Sequence, residues 1–275
     1  MEKLSEVSTE AGSARKPGRW TLPALCLVVM LAAWCVWMYQ HVWATEVLRK
    51  AETERRLDCH WSEVPGALWR RAPGPGDYPP GTMVRRASLH GGREEMPALV
   101  AALRHFSGLG ILDVAGDDPY APRQDDGRAG ALLAALRPDD EVRELGFYDE
   151  GIDELMLAGL GRLQSLVSLS IYRTVEGVTG EELPVLPRLA GLSLGSGHVT
   201  DAGLAHLLAL PAIQYVDVWG TEITLAGIEQ ALKTASPTLR SLEVRAGRVT
   251  PEERTAVDAL IARQPAGRKL VVHPR

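Results

Sequence analysis

The sequence predicts an α/β repeat solenoid, with parallel strands on one face and helices on the other, preceded by a single N-terminal transmembrane helix. Three observations carry that expectation. An uncharged run fills residues 20–39, WTLPALCLVVMLAAWCVWMY. A pattern of L-x-x-L-x-L, then a turn, then an apolar residue and a Thr, recurs about every 24 residues, the period of stacked strand-plus-helix coils. Thr stands at the same phase of several units, where a helix would begin and a hydroxyl can accept a backbone N–H.

Composition narrows the function classes. The chain has 275 residues, 45% hydrophobic and 24% charged, so it can build a sizeable core. A net charge of −5 and a pI near 5.8 argue against general nucleic-acid binding. The cysteines are Cys26, Cys35 and Cys59. Two of them fall in the apolar run, so the remaining one cannot staple a domain. There is no Asn, hence no N-glycosylation acceptor.

Residues 1–19 are polar and mixed in charge and read as a disordered cytoplasmic tail. Residues 20–39 read as the membrane span. Twenty helical residues cover roughly 30 Å, the thickness of a bilayer core. Trp20 lies at one end, and Trp37, Tyr39 and Trp43 at the other, where interfacial aromatics belong. A buried core helix and a cleaved signal peptide, with Val42-Trp43-Ala44 as a loose cleavage site, are the competing readings. Arg15, Lys16 and Arg19 crowd the N-terminal flank, and the first basic residue beyond the run is Arg49. The expected topology is therefore single-pass, N-terminus cytoplasmic and repeat domain extracytoplasmic. Residues 40–62 read as a helical stalk with alternating charges, as in LRKAETERRL. Residues 63–82 carry a Pro/Gly cluster, APGPGDYPPG, and read as a linker or N-terminal cap.

The repeat domain is expected over 83–275. Its units begin at Val84, Leu109, Val142, Leu166, Leu189, Ile213 and Leu239, spaced by 25, 33, 24, 23, 24 and 26 residues on subtraction. A closing strand is expected over Lys269 to His273. A strand alternates sides with period two, so the first, fourth and sixth places of a unit turn inward. The helix that follows offers a second apolar stripe, such as Leu204, Leu207 and Leu208, or Ile228, Ala231 and Leu232. Thr179, Thr200, Thr224 and Thr250 are the expected N-caps, with Asp153 a similar start. Glu182 and Glu253 complete capping boxes, and Pro251 fits a first helical position.

Val199-Thr200-Asp201-Ala202-Gly203-Leu204 and Thr221-Glu222-Ile223-Thr224 resemble the leucine-rich repeat family, in its bacterial T-D-A-G-L variety. The resemblance covers Val84 to Val272 and is strongest from Val142 to Thr250. It implies a concave strand face that binds partners. Many members place Asn or Cys where the strand turns, to bond backbone between repeats. Here Glu150, Thr174, Gly197, Thr221 and Gly247 hold that place, so that ladder is expected to be incomplete.

On that face the outward places form columns. Tyr148, Tyr172, Tyr215, Asp217, Trp219, Glu243 and Arg245 are the expected partner-binding residues, aromatic and Arg side chains being the types that dominate hot spots. The alternative is that these rings pack on one another as cross-strand pairs. Asp113, Glu144, Asp217 and Glu243 would make the face acidic and suit a basic or polar partner. The long period places an insertion at Gly116 to Arg128, with Asp117, Asp118, Tyr120, Asp125 and Asp126. Oxygen ligands of that kind suit calcium, but the spacing matches no known calcium loop, and a solvated acidic insert is the plainer reading. There is no H-E-x-x-H, nucleophile elbow, P-loop or dinucleotide fingerprint. No enzyme, metal or cofactor is expected. The chain reads as a membrane-anchored, leucine-rich-repeat binding module for a protein or cell-envelope partner. The alternative is a structural or assembly factor bracing a membrane protein complex.

Overall fold

The computed structural model describes residues 21–54, 57–62, 83–90, 92–105, 110–115, 127–148, 154–172, 179–195, 198–246 and 249–274. The chain divides into two compact units, Met1–Val42 and Trp43–Arg275. Helix α1 (Thr21–Thr53) begins in the first and ends in the second.

In the first unit, Leu27, Val28, Val29 and Met30 are all exposed. Four successive residues sweep a whole helical turn, so no apolar stripe faces a core, which is what a lipid-facing helix requires. Over Cys26–Ala51 the helix is long and apolar enough to cross a membrane. Trp37 and His41 stack one turn apart, with centroids 5.2 Å apart.

The second unit is an α/β domain. Among the described residues its strands form one nine-stranded sheet in sequential order: β1 (Leu57–Ser62), β2 (Met83–Leu89), β3 (Ile111–Ala115), β4 (Glu144–Tyr148), β5 (Ser168–Tyr172), β6 (Gly191–Gly195), β7 (Tyr215–Thr221), β8 (Ser241–Ala246) and β9 (Lys269–Pro274). From β2 to β9 each neighbour is parallel, and β1 closes the sheet antiparallel to β2. Six of the seven parallel steps are bridged by α2 (Met96–His105), α3 (Arg128–Ala135), α4 (Glu154–Leu160), α5 (Asp201–Leu208), α6 (Leu225–Thr234) and α7 (Arg254–Ala262), and among the described residues the β5–β6 step has no helix.

The expected spacings are the register itself. Arg86 aligns with Ile111, then Glu144, Ser168, Gly191, Tyr215, Ser241 and Lys269. Parity holds too. Leu145 and Phe147, Leu169 and Ile171, Leu192 and Leu194, Val216 and Val218, and Leu242 and Val244 are all buried. They join one core with Leu204, Leu207, Leu208, Ile228 and Ala231 from the helices, and Leu232 packs against it.

The stalk expected over 40–62 is something else. Ala44, Leu48 and Ala51 are buried and belong to the same core as the sheet residues. They recur at i, i+4 and i+7 and so form one face, which only packing exploits. Leu57–Ser62 is a strand rather than helix. The residues of the expected linker or cap, 63–82, lie outside the described residues, as do Asp153, Glu150, Thr174, Gly197 and Gly247. Thr221 pairs with Ala246 in the sheet.

Two of the four expected Thr starts cap helices. Thr200 and Thr224 accept the N–H of Gly203 and Gly227 at 3.1 and 3.0 Å. At Thr179 the capping box forms, with Glu182 accepting the Thr179 N–H at 3.2 Å, but only turns follow. Pro184 and Pro187 remove N–H donors within two turns and stop a helix from propagating. At Thr250 the box also forms, at 2.8 Å, and opens a 3₁₀ turn over Pro251–Glu253 before α7.

The T-D-A-G sequence has a physical account. The Asp201 carboxylate accepts both the N–H and the hydroxyl of Thr224 in the next unit, at 2.8 and 2.7 Å. A Cβ at Gly227 would strike that carboxylate, and one at Gly203 would strike the Thr179 carbonyl oxygen. Each glycine therefore admits the preceding unit to within contact of its helix. Between α2 and α3 the link is ionic. Arg104 donates to both Asp140 oxygens, at 2.8 and 2.7 Å, and to the Ala135 carbonyl. Burial pushes the Asp140 carboxyl up, but bonds from Arg104 and the Arg137 N–H outweigh it and hold it below its ordinary value.

Asp201→Ala is expected to cost about 1–2 kcal/mol in urea denaturation. A double-mutant cycle with Thr224→Ala should give a coupling of at least ~0.5 kcal/mol. Strict additivity would show that the two units are not joined through this carboxylate.

Candidate functional site

The open face of the sheet carries three columns of side chains. The middle column runs Ser88, Asp113, Gly146, Ser170, Ser193, Asp217, Glu243 and Val271. Nearer the strand ends, Tyr148 pairs with Tyr172, and Tyr172 with Gly195. Parallel register puts like places side by side about 4.8 Å apart, so any large side chain there meets its neighbour.

That proximity turns the aromatics into a ladder. Tyr148 and Tyr172 stack, with centroids 5.3 Å apart and planes 14° from parallel. Tyr172 meets Trp219 edge to face at 5.7 Å, although β6 lies between their strands. The place beside Tyr172 on β6 is held by Gly195, which carries no side chain. The Arg245 guanidinium carbon lies 4.1 Å from the Trp219 ring centroid and extends the row as a cation–π pair. The Trp219 indole N–H donates to Asp217 at 2.6 Å. The rings thus pack on one another along the row, as the cross-strand alternative held.

The expectation of an acidic face needs correction. Asp113 is only 7% exposed and accepts from Arg86 Nε at 2.7 Å. It lies across β4 where Gly146 leaves room, since a Cβ there would strike the Asp113 carboxylate. Glu243 accepts from His273 Nε2 at 2.9 Å when that nitrogen carries the proton, and lies 3.9 Å from Arg245. Glu144 is exposed. Of the four acids, Asp113 is ion-paired with Arg86 and Glu243 lies within reach of Arg245, while Asp217 keeps its charge and accepts a neutral indole N–H. Arg86 and His273 are the residues sequence reasoning missed. Arg86 reaches Asp113 on the diagonal of the β2–β3 ladder, a pairing that only the register reveals.

Burial pushes the Tyr148 phenol up, with the Asp113 charge adding to it, so it stays a neutral donor at physiological pH. Burial also raises the Asp217 carboxyl. The Trp219 N–H opposes that shift and the Glu243 charge reinforces it. Tyr215, 51% exposed, stands in the column of Glu144, Ser168, Gly191 and Ser241, apart from the ladder. Small residues floor the space between, chiefly Ser168, Ser170, Gly191 and Ser193. The insertion residues Asp117, Asp118, Tyr120, Asp125 and Asp126 lie outside the described residues. Among those described, no three His, Cys, Asp or Glu side chains gather as a metal site would require.

Comparison of the chain with protein-family models and with curated proteins finds no match.

An acid whose pKa is raised on folding binds its proton more tightly in the folded state. Its penalty is fully present above the folded pKa and disappears as pH falls through the unfolded value, about 3.9. Asp217→Asn keeps an oxygen to accept the indole N–H and removes the charge. It should raise the urea midpoint at pH 7, with no difference left by about pH 3. A lower midpoint at pH 7 would mean that the carboxylate charge is favourable in this setting.

Proposed function

We propose that the chain is a non-enzymatic binding module: a leucine-rich-repeat solenoid, tethered to a membrane by α1, that recognises a protein or envelope component through its open strand face. The observation that carries this reading is the half-exposed ladder of Tyr148, Tyr172 and Trp219, ending in Arg245, beside a floor of Ser and Gly. Rings locked against one another lose little rotamer freedom when a partner settles on them, so binding carries a smaller entropic penalty. The Ser and Gly floor leaves depth for a partner's side chains, and Tyr215 forms its far wall. The strand parity and the Thr-Asp-Ala-Gly links between units support the leucine-rich-repeat assignment.

The repeat domain is placed outside the cytoplasm because Arg15, Lys16 and Arg19 flank the N-terminal side of the apolar run more closely than any basic residue flanks the other.

Two measurements test this reading. The full chain carrying Tyr172→Ala and Trp219→Ala together, purified from its membrane in mild detergent, should recover co-purifying protein at least about tenfold less than the parent. Its far-UV circular dichroism should be unchanged. Equal recovery would remove the strand face from the proposal, and co-migration with a large membrane complex in both variants would favour a bracing role. Separately, a reporter that works only outside the cytoplasm, fused after Arg275, should be active. Activity of a cytosol-only reporter instead would reverse the topology.

A further inference from the structure

At the opposite ends of the strands, where chain enters β8 and β9, lies a cleft of about 490 Å³. It is lined by Pro237, Thr238, Leu239 and Arg240 from one turn, Pro265, Ala266, Gly267 and Arg268 from the next, and Gln214. Its origin is legible in the repeat. Two residues before each strand the earlier units place a buried apolar side chain: Val142, Leu166, Leu189, Ile213 and Leu239. At that place the last unit has Gly267, with φ +92°, and a Cβ there would meet nothing within 4 Å. The last described unit thus has no apolar side chain at this place.

Arg240 and Arg268 both line this space and no Asp or Glu does. Arg268 is held by one bond, from Nε to the Leu239 carbonyl at 3.3 Å, leaving its terminal nitrogens unused among the described residues. The Arg240 guanidinium bonds to none of the described residues, although the chain is acidic overall. The turns themselves are stiff. Pro237 and Pro265 fix their backbones, and the Thr238 hydroxyl donates to the Ile213 carbonyl at 2.8 Å. A planar guanidinium presents paired N–H donors that match an oxyanion bidentately. Two such charges on one cleft match a dianion, and a phosphate monoester carries about −1.5 to −2 near pH 7. Leu239, Pro237, Pro265 and Ala266 supply an apolar wall for the group that bears it.

We propose that this cleft binds a phosphate monoester carried on a small apolar body, with Arg240 and Arg268 as its two ligating residues. The inference is independent of the strand-face reading, since no residue is shared.

The test is isothermal titration of phenyl phosphate into the full chain held in phosphatidylcholine nanodiscs. Saturable one-to-one binding is expected. Arg240→Gln should weaken it about tenfold or more, and Arg240→Lys, which keeps the charge but not the fork, should fall between. Arg240 is exposed, so neither change threatens folding. Unsaturable binding, or equal affinity in Arg240→Gln, would overturn the proposal. A second arm adds phosphatidic acid to the nanodisc. If a lipid headgroup is the natural occupant, it should compete with phenyl phosphate in the parent and not in Arg240→Gln. If apparent affinity is unchanged, the monoester comes from solution.

Discussion

One constraint governs the second unit: no single coil of about 24 residues can bury both its inward strand residues and its helix stripe. Leu192 and Leu194 on β6 are hidden only because helix residues such as Leu204 and Leu207 cover one side and β5 and β7 flank the other. Hydrophobic burial is roughly proportional to area and carries no direction, so it does not set register. The strand entries supply direction. The Arg143 carbonyl accepts from both Val167 and Ser168, Val167 from Ala190 and Gly191, Ala190 from Gln214 and Tyr215, and Gln214 from Arg240 and Ser241. Each carbonyl thus fixes where the next strand begins, and a one-residue slip would turn every buried leucine outward.

That explains why so much of the fold is readable in sequence. The distance between successive strand starts is the length of each coil, insertion included, and the sheet reproduces it from Arg86 to Ser241. Inward and outward places follow from parity alone. The site residues Tyr148, Tyr172, Tyr215, Asp217, Trp219, Glu243 and Arg245 accordingly fall on one face. What parity does not say is how far a side chain reaches across its neighbours. The Tyr172–Trp219 contact spans β6, where Gly195 holds the register place beside Tyr172, and the Arg86–Asp113 pair needs Gly146 to lack a side chain. At Gly146 glycine acts through what it omits, a cue that a reading of outward residues by type passes over.

The misreadings have equally local causes. Thr179 and Glu182 form the hydrogen bonds of a helix start, so the local signal was sound, but Pro184 and Pro187 were in the sequence and prevail. The charges of residues 40–62 are what give them the look of a stalk. Glu46, Arg49 and Lys50 do lie on the exposed side, with Glu46 and Arg49 bonded to each other at 2.6 Å. The opposite side, Ala44, Leu48 and Ala51, is small and sparse enough to pass for a solvated helix, yet it closes on the core. The antiparallel β1 gives no repeat signal because it belongs to no repeat. Hydroxyls also tie successive units together at the strand entries. The hydroxyls of Ser165 and Thr238 donate to the Val142 and Ile213 carbonyls of the preceding units, at 2.9 and 2.8 Å.

The two ends of the strands have therefore been put to different uses by the same geometry. At the strand exits, parallel register crowds like places together, and large residues there satisfy one another before any partner arrives. The rings contact one another along the row, Asp217 and Glu243 are hydrogen-bonded, and serines line the floor. On the reading proposed above, such a surface would discriminate by shape and hydrogen bonding as well as by charge. At the strand entries, the same register lines up turns, and the unit that ends the series lacks the side chain that its predecessors use to fill theirs. Nothing neutralises Arg240 there among the described residues, in a chain whose acids outnumber its bases by five. A paired charge on the sheet face serves packing. An arginine with no partner among the described residues, lining the same cleft as a second arginine, is an arrangement that a bound anion would make more favourable.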